Sequence, residues 1–253
     1  MKFTIQAACG CHMGKVRKNN EDNFFFGGKC LPETNNGLKY PTCIEEELKT
    51  GFCTAVFDGM GGENFGELAS YAAARQMQTT ERKLNDFFIP AKKYLEQLTQ
   101  QLNDAVVTEQ LKMCTDKMGA TMVCFYVSGR YAYICNVGDS RAYRLRDGEF
   151  LQLSQDHVEK RPGNSTKKAP LTQHLGFGSD EMELEPYIAK GELKKGDIYL
   201  LCSDGLSDML TNFEITDIML NSEDAEQCVQ NLISSALEHG GRDNITAIIC
   251  KLI

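Results

Sequence analysis

Apolar residues recur with helical spacing in two segments of the chain. In the first segment they fall at i, i+1, i+4, i+8, i+11 and i+12: Tyr94, Leu95, Leu98, Leu102, Ala105 and Val106. The second segment repeats the pattern with Ala225, Cys228, Val229, Leu232, Ile233, Ala236 and Leu237. A third helix is predicted from about Glu63 to Leu84, after a glycine-rich turn, with Leu68 and Ala72 facing inward.

Short runs of β-branched and aromatic residues predict strands between these helices. The runs are Phe52 to Phe57, Thr121 to Val127, Tyr131 to Val137, Ile198 to Cys202 and Ile245 to Cys250. Ser128-Gly129-Arg130 and Arg146-Asp147-Gly148 have the composition of hairpin turns, which indicates antiparallel neighbours. The pattern favours an α+β sandwich over a doubly wound sheet.

Length and composition predict one globular domain spanning residues 1–253, of which 42% are hydrophobic and 25% charged. The start MKFTIQAACG is too weakly apolar for a signal peptide, and no run is long enough to cross a membrane. The eleven cysteines mostly stand singly inside apolar runs, as reduced cysteines do. We therefore expect a cytoplasmic protein without membrane insertion.

Charge narrows the possible partners. The formal net charge of −8, with no long run of Lys or Arg, argues against a nucleic-acid partner.

Residues Glu159 to Ala169 are polar and lack an apolar period, so they predict an exposed loop.

Four aspartates stand at the end of an apolar strand: Asp58, Asp139, Asp204 and Asp243. Strand ends on one edge of a sandwich can converge, and carboxylates brought within about 4 to 6 Å repel one another unless a cation lies between them. Oxygen ligands of this kind suit Mg²⁺ or Mn²⁺. A single Asp beside Gly is more simply a turn residue, but four such positions recur together with the polar segment Arg17 to Asp22.

An ordered set of motifs makes the pattern specific. It comprises GKVRKNNED (Gly14 to Asp22), FDGMGG (Phe57 to Gly62), GAT (Gly119 to Thr121), NVGDSR (Asn136 to Arg141), CSDGLSD (Cys202 to Asp208) and GRDNIT (Gly241 to Thr246). From end to end, this set resembles the protein phosphatase 2C family, in its bacterial form.

The resemblance implies a central antiparallel β-sandwich flanked by helices on both sides, in four αββα layers, with two divalent cations, Mn²⁺ or Mg²⁺, at one end. The implied metal ligands are Asp58 as the bridging carboxylate, the Gly59 carbonyl, Asp204 and Asp243, with Glu21 and Asp22 in support. Asp139 resembles a ligand of a possible third metal, together with Asp204 and Asp208. Arg17 resembles the family's phosphate-binding arginine, whose planar guanidinium can hold two phosphoryl oxygens.

The implied reaction is hydrolysis of phosphoserine or phosphothreonine by a metal-activated water, without a covalent phosphoenzyme. Two features depart from the family pattern. Met60 stands where many eukaryotic members have histidine, so another group, most simply a metal-bound water, must protonate the leaving alkoxide. The flap-like loop at about 156–175 is short; its His157 and His174 are predicted to be exposed or structural.

Two alternatives remain open. A pseudophosphatase would keep the fold and bind phosphoproteins without turnover, although all the expected carboxylates are present here. A phosphatase for another substrate, such as an anti-sigma-factor antagonist or a small phosphate ester, would keep the metals. The expected partners of the leading hypothesis are phosphoprotein substrates and a cognate Ser/Thr kinase.

Ser140 and Ser203 adjoin the expected ligands but lack the neighbouring base and oxyanion site of a catalytic serine.

Overall fold

Two antiparallel sheets lie face to face in the computed structural model, which describes residues 3–61, 65–81, 89–160, 169–177 and 184–253. The first sheet, sheet A, has the strand order β3 (Thr42–Glu47), β1 (Thr4–His12), β12 (Ile245–Leu252), β11 (Ile198–Cys202), β8 (Arg141–Arg146) and β9 (Glu149–Gln152). The second, sheet B, runs β10 (Tyr187–Glu192), β7 (Tyr131–Val137), β6 (Met122–Ser128), β4 (Cys53–Gly61) and β2 (Asp22–Phe25), with β5 (Met118–Ala120) paired to β4.

Helices cover the outer face of each sheet. Sheet B packs against α1 (Gly66–Glu81) and α2 (Ala91–Met113), and sheet A against α4 (Asn212–Asn221) and α5 (Ala225–Glu238), with α3 (Asp204–Ser207) a single turn after β11. One apolar core fills the space between the sheets and two more lie under the helix layers. The four-layer α+β sandwich that was predicted is therefore confirmed.

The periodic segments form the helices that their spacing predicts. Leu95, Leu98 and Leu102 of α2 are buried against sheet B, and Val229 and Leu232 of α5 against sheet A. The helix predicted from Glu63 begins at Gly66, and the predicted end at residues 82–84 lies outside the described residues.

The helix α4 was not predicted, because its apolar stripe is short. Its start is fixed locally by a capping box, in which the Thr211 hydroxyl accepts from the Glu214 backbone N–H and the Glu214 carboxylate accepts from the Thr211 N–H. Such a box satisfies two backbone donors that a helix start otherwise leaves unpaired.

Both predicted hairpin turns are present. Asp147 and Gly148 join β8 to β9 with φ of 52° and 82°, as a two-residue turn with two left-handed positions requires. Gly129, between β6 and β7, has φ of 60°. Glycine and aspartate at these positions reduce the steric cost of the left-handed backbone.

All eleven cysteines are free thiols. Seven are buried or nearly so inside strands, and burial raises the pKa of the Cys11 and Cys202 thiols to about 12. Among the described residues, no helix combines the length and the apolar character needed to span a bilayer.

Candidate metal and phosphate site

The predicted acidic residues come from both sheets and meet at one end of the sandwich. In sheet B, Asp22 opens β2 and lies directly opposite Asp58 of β4. On the side of sheet A, Asp204 begins α3 directly after β11, and Asp243 comes two residues before β12. The arrangement follows from the strand ends on which the sequence places these residues.

Asp22 connects the two sheets from a buried position. Its Oδ2 accepts hydrogen bonds from the hydroxyls of Ser203 and Thr246, each at 2.7 Å, and both donors belong to the sheet A side. Burial raises the pKa of Asp22 to about 7, although the two hydroxyls lower it; Asp243 and Glu21 raise it further. The sequence does not indicate this role for Ser203 or Thr246, since no local pattern points to a partner about 200 residues away.

Arg17 lies among three of the acidic residues. Its Nη2 is 2.6 Å from Asp243 Oδ2, and its Nη1 is 3.6 Å from Glu21 Oε2. Burial lowers the pKa of the guanidinium, but the bond to Asp243 and the nearby negative charges outweigh it and raise that pKa; the charge of Asp58 contributes. Arg17 remains 43% exposed, so part of its guanidinium is accessible to a ligand.

The electrostatics of the site favour an additional cation. Burial raises the pKa of Glu21, and Arg17 lowers it, while Glu67 and Asp243 raise it again. Carboxylates in this environment are stabilised in the charged form by a metal ion. The donor atoms are all oxygens, as Mg²⁺ and Mn²⁺ prefer. Within the described residues, no three acidic, Cys or His side chains are close enough to form a metal cluster by themselves.

Asn244 holds the loop that carries Arg17 and Glu21. Its Oδ1 accepts from the Glu21 N–H at 2.8 Å, and its Nδ2 donates to the carbonyls of Met13 and Asn19 at 2.8 and 2.9 Å. The side chain is buried, so these three bonds replace bonds to water. Its place beside Asp243 in the GRDNIT motif is the one signal in the sequence that marks it.

Thr121 links the strand of Asp58 to the loop of Asp139. The Asp58 N–H donates to Thr121 Oγ1 at 3.1 Å, and the Thr121 N–H donates to the Asp58 carbonyl at 2.8 Å. The same hydroxyl lies 2.7 Å from Ser140 Oγ. Ser140 and Ser203 are completely buried, so both serines have structural roles, in agreement with the sequence analysis.

Two glycines allow the backbone segments of the site to approach one another. A Cβ on Gly59 would overlap the Gly66 carbonyl oxygen and lie 2.6 Å from that of Glu21. A Cβ on Gly205 would overlap the Asn244 carbonyl oxygen. Glycine at 59 therefore brings β4 against the first residue of α1 and the loop of Glu21, and glycine at 205 brings α3 against the loop of Asp243.

Asp139 lies in the loop between β7 and β8 and is only 6% exposed. Asp208 is exposed at the end of α3, where its N–H donates to the Asp204 carbonyl at 2.7 Å. The structure thus joins Asp139 to the strand of Asp58 through Thr121 and Ser140, and joins Asp208 to Asp204 through one helical turn.

The described start of the segment 156–175 is anchored beside the loop of Asp139. Arg141 forms an ion pair with Asp156, in which Nη2 at 2.7 Å and Nε at 3.0 Å both donate to Oδ2. His157 Nδ1 accepts from the Gly138 N–H at 3.1 Å, and Val158 forms a β-bridge with Leu171. Residues 161–168, which contain most of the predicted exposed loop, lie outside the described residues.

Two buried side-chain amides of α2 hydrogen-bond the backbone of Gly176 and Phe177, which directly follow the segment 156–175. Asn103 Oδ1 accepts from the N–H groups of Gly176 and Phe177 at 2.8 and 3.1 Å, and its Nδ2 donates to the Phe177 carbonyl. Gln110 Nε2 donates to the carbonyls of Met118 and Gly176. The sequence does not single out either residue, because both are polar positions on the buried face of α2, whose pattern is defined by its apolar residues.

Comparison with known proteins identifies the family. The family model described as protein phosphatase 2C matches residues 43–244. The chain belongs to the protein phosphatase 2C family. It is 29% identical over 268 residues to the serine/threonine protein phosphatase PstP of Mycobacterium tuberculosis, which covers 99% of this chain and 46% of PstP. Against the serine/threonine phosphatase stp of Listeria innocua it is 28% identical, with 94% of this chain and 92% of stp covered.

Solved structures of the 2C family agree with the fold. The crystal structure of M. tuberculosis PstP/Ppp superposes with a TM-score of 0.79 at 26% identity and covers 98% of each chain. The PstP catalytic domain in complex with two manganese ions gives 0.75 at 27% identity, with 99% of each chain covered. PppA, a regulatory component of the type VI secretion system in Pseudomonas aeruginosa, gives 0.78 at 28% identity over both whole chains. This 2C-family chain spans about half the length of full PstP.

Proposed function

We propose that this chain is a metal-dependent protein serine/threonine phosphatase. The observation that carries the proposal is the position of Arg17, whose partly exposed guanidinium pairs with Asp243 and Glu21 and has its pKa raised further by the charge of Asp58 in sheet B. An anionic phosphoryl group and divalent cations would both be stabilised there. The relatives named as serine/threonine phosphatases support the substrate class.

The residues that would hold the metals are Asp58, which would bridge two cations, the Gly59 carbonyl, Asp204 and Asp243, with Glu21 and Asp22 in support. Two manganese ions in a relative's structure favour Mn²⁺ or Mg²⁺ here. A third cation would use Asp139, Asp204 and Asp208. When bound, the cations would lower the pKa of coordinated water and offset negative charge on the phosphoryl oxygens.

The protein itself would orient the substrate. Arg17 would bind two phosphoryl oxygens through its planar guanidinium and hold phosphorus in line for attack by water. Asn244 would fix the loop of Arg17 and Glu21, and Thr121 would fix the backbone of Asp58. Asp22 would keep the two sheets in register through the hydroxyls of Ser203 and Thr246.

We also propose one catalytic domain, with 156–175 as its short flap, acting on phosphoproteins and opposing a Ser/Thr kinase. Eleven free cysteines, most of them buried, support a cytoplasmic setting. A pseudophosphatase is the second candidate, but all the expected carboxylates are present at the strand ends, which favours turnover.

The test is hydrolysis of a phosphothreonine peptide after chelator treatment, with and without added Mn²⁺, beside the Asp204→Asn variant. We expect turnover that requires Mn²⁺ and is lost in the variant. Absence of turnover in the metal-replete wild type, combined with binding of the phosphopeptide, would favour the pseudophosphatase instead.

A further inference from the structure

The face of sheet B that lies toward sheet A continues along β4 to the candidate metal site. In β4, Val56 belongs to the core between the sheets and Phe57 to the core under the helices. Because side chains alternate along a strand, Asp58 and Met60 both face the cleft between the sheets. Met60 therefore lies on the same face as Asp58, roughly 7 Å further along the strand.

His174 occupies the neighbouring position on that face. Gly119 of β5 lies directly opposite Met60, and a Cβ on Gly119 would be 2.6 Å from His174 Nδ1. Met118 and Ala120, on either side of Gly119 in β5, pack into the core under the helices, so alternation along β5 directs a Cβ on Gly119, and the His174 Nδ1 that it would meet, to the inner side. The imidazole thus covers Gly119, one strand spacing of about 4.8 Å from Met60.

Hydrogen bonding determines which ring nitrogen of His174 can exchange a proton. Nδ1 lies 2.9 Å from the Leu175 carbonyl oxygen, which only accepts, so Nδ1 carries a hydrogen. Nε2 has no hydrogen-bond partner among the described residues, and the ring is half-buried. The ring also stacks on Phe177 at 4.2 Å, and Asn103 holds the backbone of Phe177. The imidazole is therefore fixed in orientation.

The other three of the four histidines have different engagements. Nδ1 of His12 accepts from the Gly14 N–H, and Nδ1 of His157 accepts from the Gly138 N–H; burial lowers the pKa of both rings. His239, directly after the C-terminal end of α5, pairs with Glu214 of α4. His174 is thus the histidine on the face of the cleft that carries Asp58 and Met60.

We propose that His174 is the general acid of the phosphatase reaction, an inference that rests on the proposed function. As water forms its bond to phosphorus, the bond from phosphorus to the serine or threonine oxygen breaks, and its electron pair stays on that oxygen. The oxygen takes the proton from Nε2 of the imidazolium. Inorganic phosphate and the free hydroxyl are the products, and the imidazole regains its proton from solvent.

Leaving groups of different basicity test this role. A serine or threonine alkoxide needs a proton as it leaves, whereas nitrophenolate leaves without one. We expect His174→Asn, whose amide can keep the bond to the Leu175 carbonyl, to lower kcat on a phosphothreonine peptide by roughly 10²-fold or more. On p-nitrophenyl phosphate, kcat should change by less than about threefold.

Three controls separate a catalytic effect from a structural one. Mn²⁺ affinity by calorimetry and thermal unfolding should match wild type in His174→Asn, and His174→Gln should reproduce its substrate selectivity. His157→Asn, near the start of the segment 156–175, should affect turnover of both substrates alike. Equal losses on both substrates in the His174 variants, or undiminished peptide turnover, would overturn the role of His174. Failure of metal-replete wild type on both substrates would instead overturn the proposed function.

Discussion

Arg17 Nη2 lies 2.6 Å from Asp243 Oδ2, so the residue proposed to bind phosphate is paired with a residue proposed to bind metal. The pair joins positions 226 residues apart in the chain. One guanidinium thus stabilises the carboxylates from a place where it can also meet a phosphoryl group. Binding of metal and of phosphate should therefore be coupled through Arg17.

Removal of the Arg17 charge should affect the two ligands in opposite directions. In Arg17→Ala, Mn²⁺ affinity should increase by a few-fold to roughly tenfold, because a cation that repels the metal is gone. Inhibition by inorganic phosphate should weaken and KM for the phosphopeptide should rise. Calorimetry and steady-state kinetics measure these effects, with the exposed neighbour Lys18→Ala as the control of equal charge. Weaker Mn²⁺ binding in Arg17→Ala would contradict the coupling.

Neutralising the proposed metal ligands should remove turnover. We expect Asp58→Asn and Asp204→Asn each to lower kcat by several orders of magnitude, through lower metal occupancy and weaker activation of water. Asp147→Asn is a matched control in the β8–β9 turn, where asparagine tolerates the left-handed backbone. Near-normal turnover of either ligand variant at saturating Mn²⁺ would be incompatible with the two-metal site.

The close approach at Gly205 should not tolerate a methyl group. In Gly205→Ala the new Cβ would overlap the Asn244 carbonyl oxygen and lie 3.3 Å from Asp243 Cβ. We expect both a lower melting temperature and weaker Mn²⁺ binding, because α3 and the loop of Asp243 must separate. Gly191→Ala is the control, since a Cβ there meets no atom within 4 Å. The two variants should differ clearly in calorimetric scans; similar melting temperatures would refute the constraint.

The buried amide of Asn103 should contribute to stability. Asn103→Leu keeps the size of the side chain but leaves the N–H groups of Gly176 and Phe177 without their acceptor. We expect a loss of about 2 to 3 kcal/mol in the free energy of unfolding, measured with urea. Gln100→Ala, on the exposed face of the same helix, should change it by less than about 0.5 kcal/mol. Equal effects would show that the amide bonds are unimportant.

Local pattern predicted α1, α2, α5 and five of the twelve strands among the described residues, because their helical stripes and β-branched runs are buried on the faces that their periods define. It failed where that signal is weak. The strand β1 reads TIQAACGCH; its residues 7–11 are small and buried on both faces in the interior of sheet A, so alternation is seen only at its start. The start of α1 was placed three residues too early, since a glycine-rich turn does not show where the helical hydrogen bonds begin.

The sequence by itself determined the chemical types at the site: carboxylates at strand ends, glycine where backbones approach, and an arginine in the loop before β2. Only the tertiary structure decided which of these residues meet. Arg17 with Asp243, Asp22 with Ser203 and Thr246, and His174 over Gly119 are contacts between distant segments. Hydrophobic periodicity fixes which face of an element is buried, but the pairing of elements depends on packing and register across the whole chain, which no local pattern encodes.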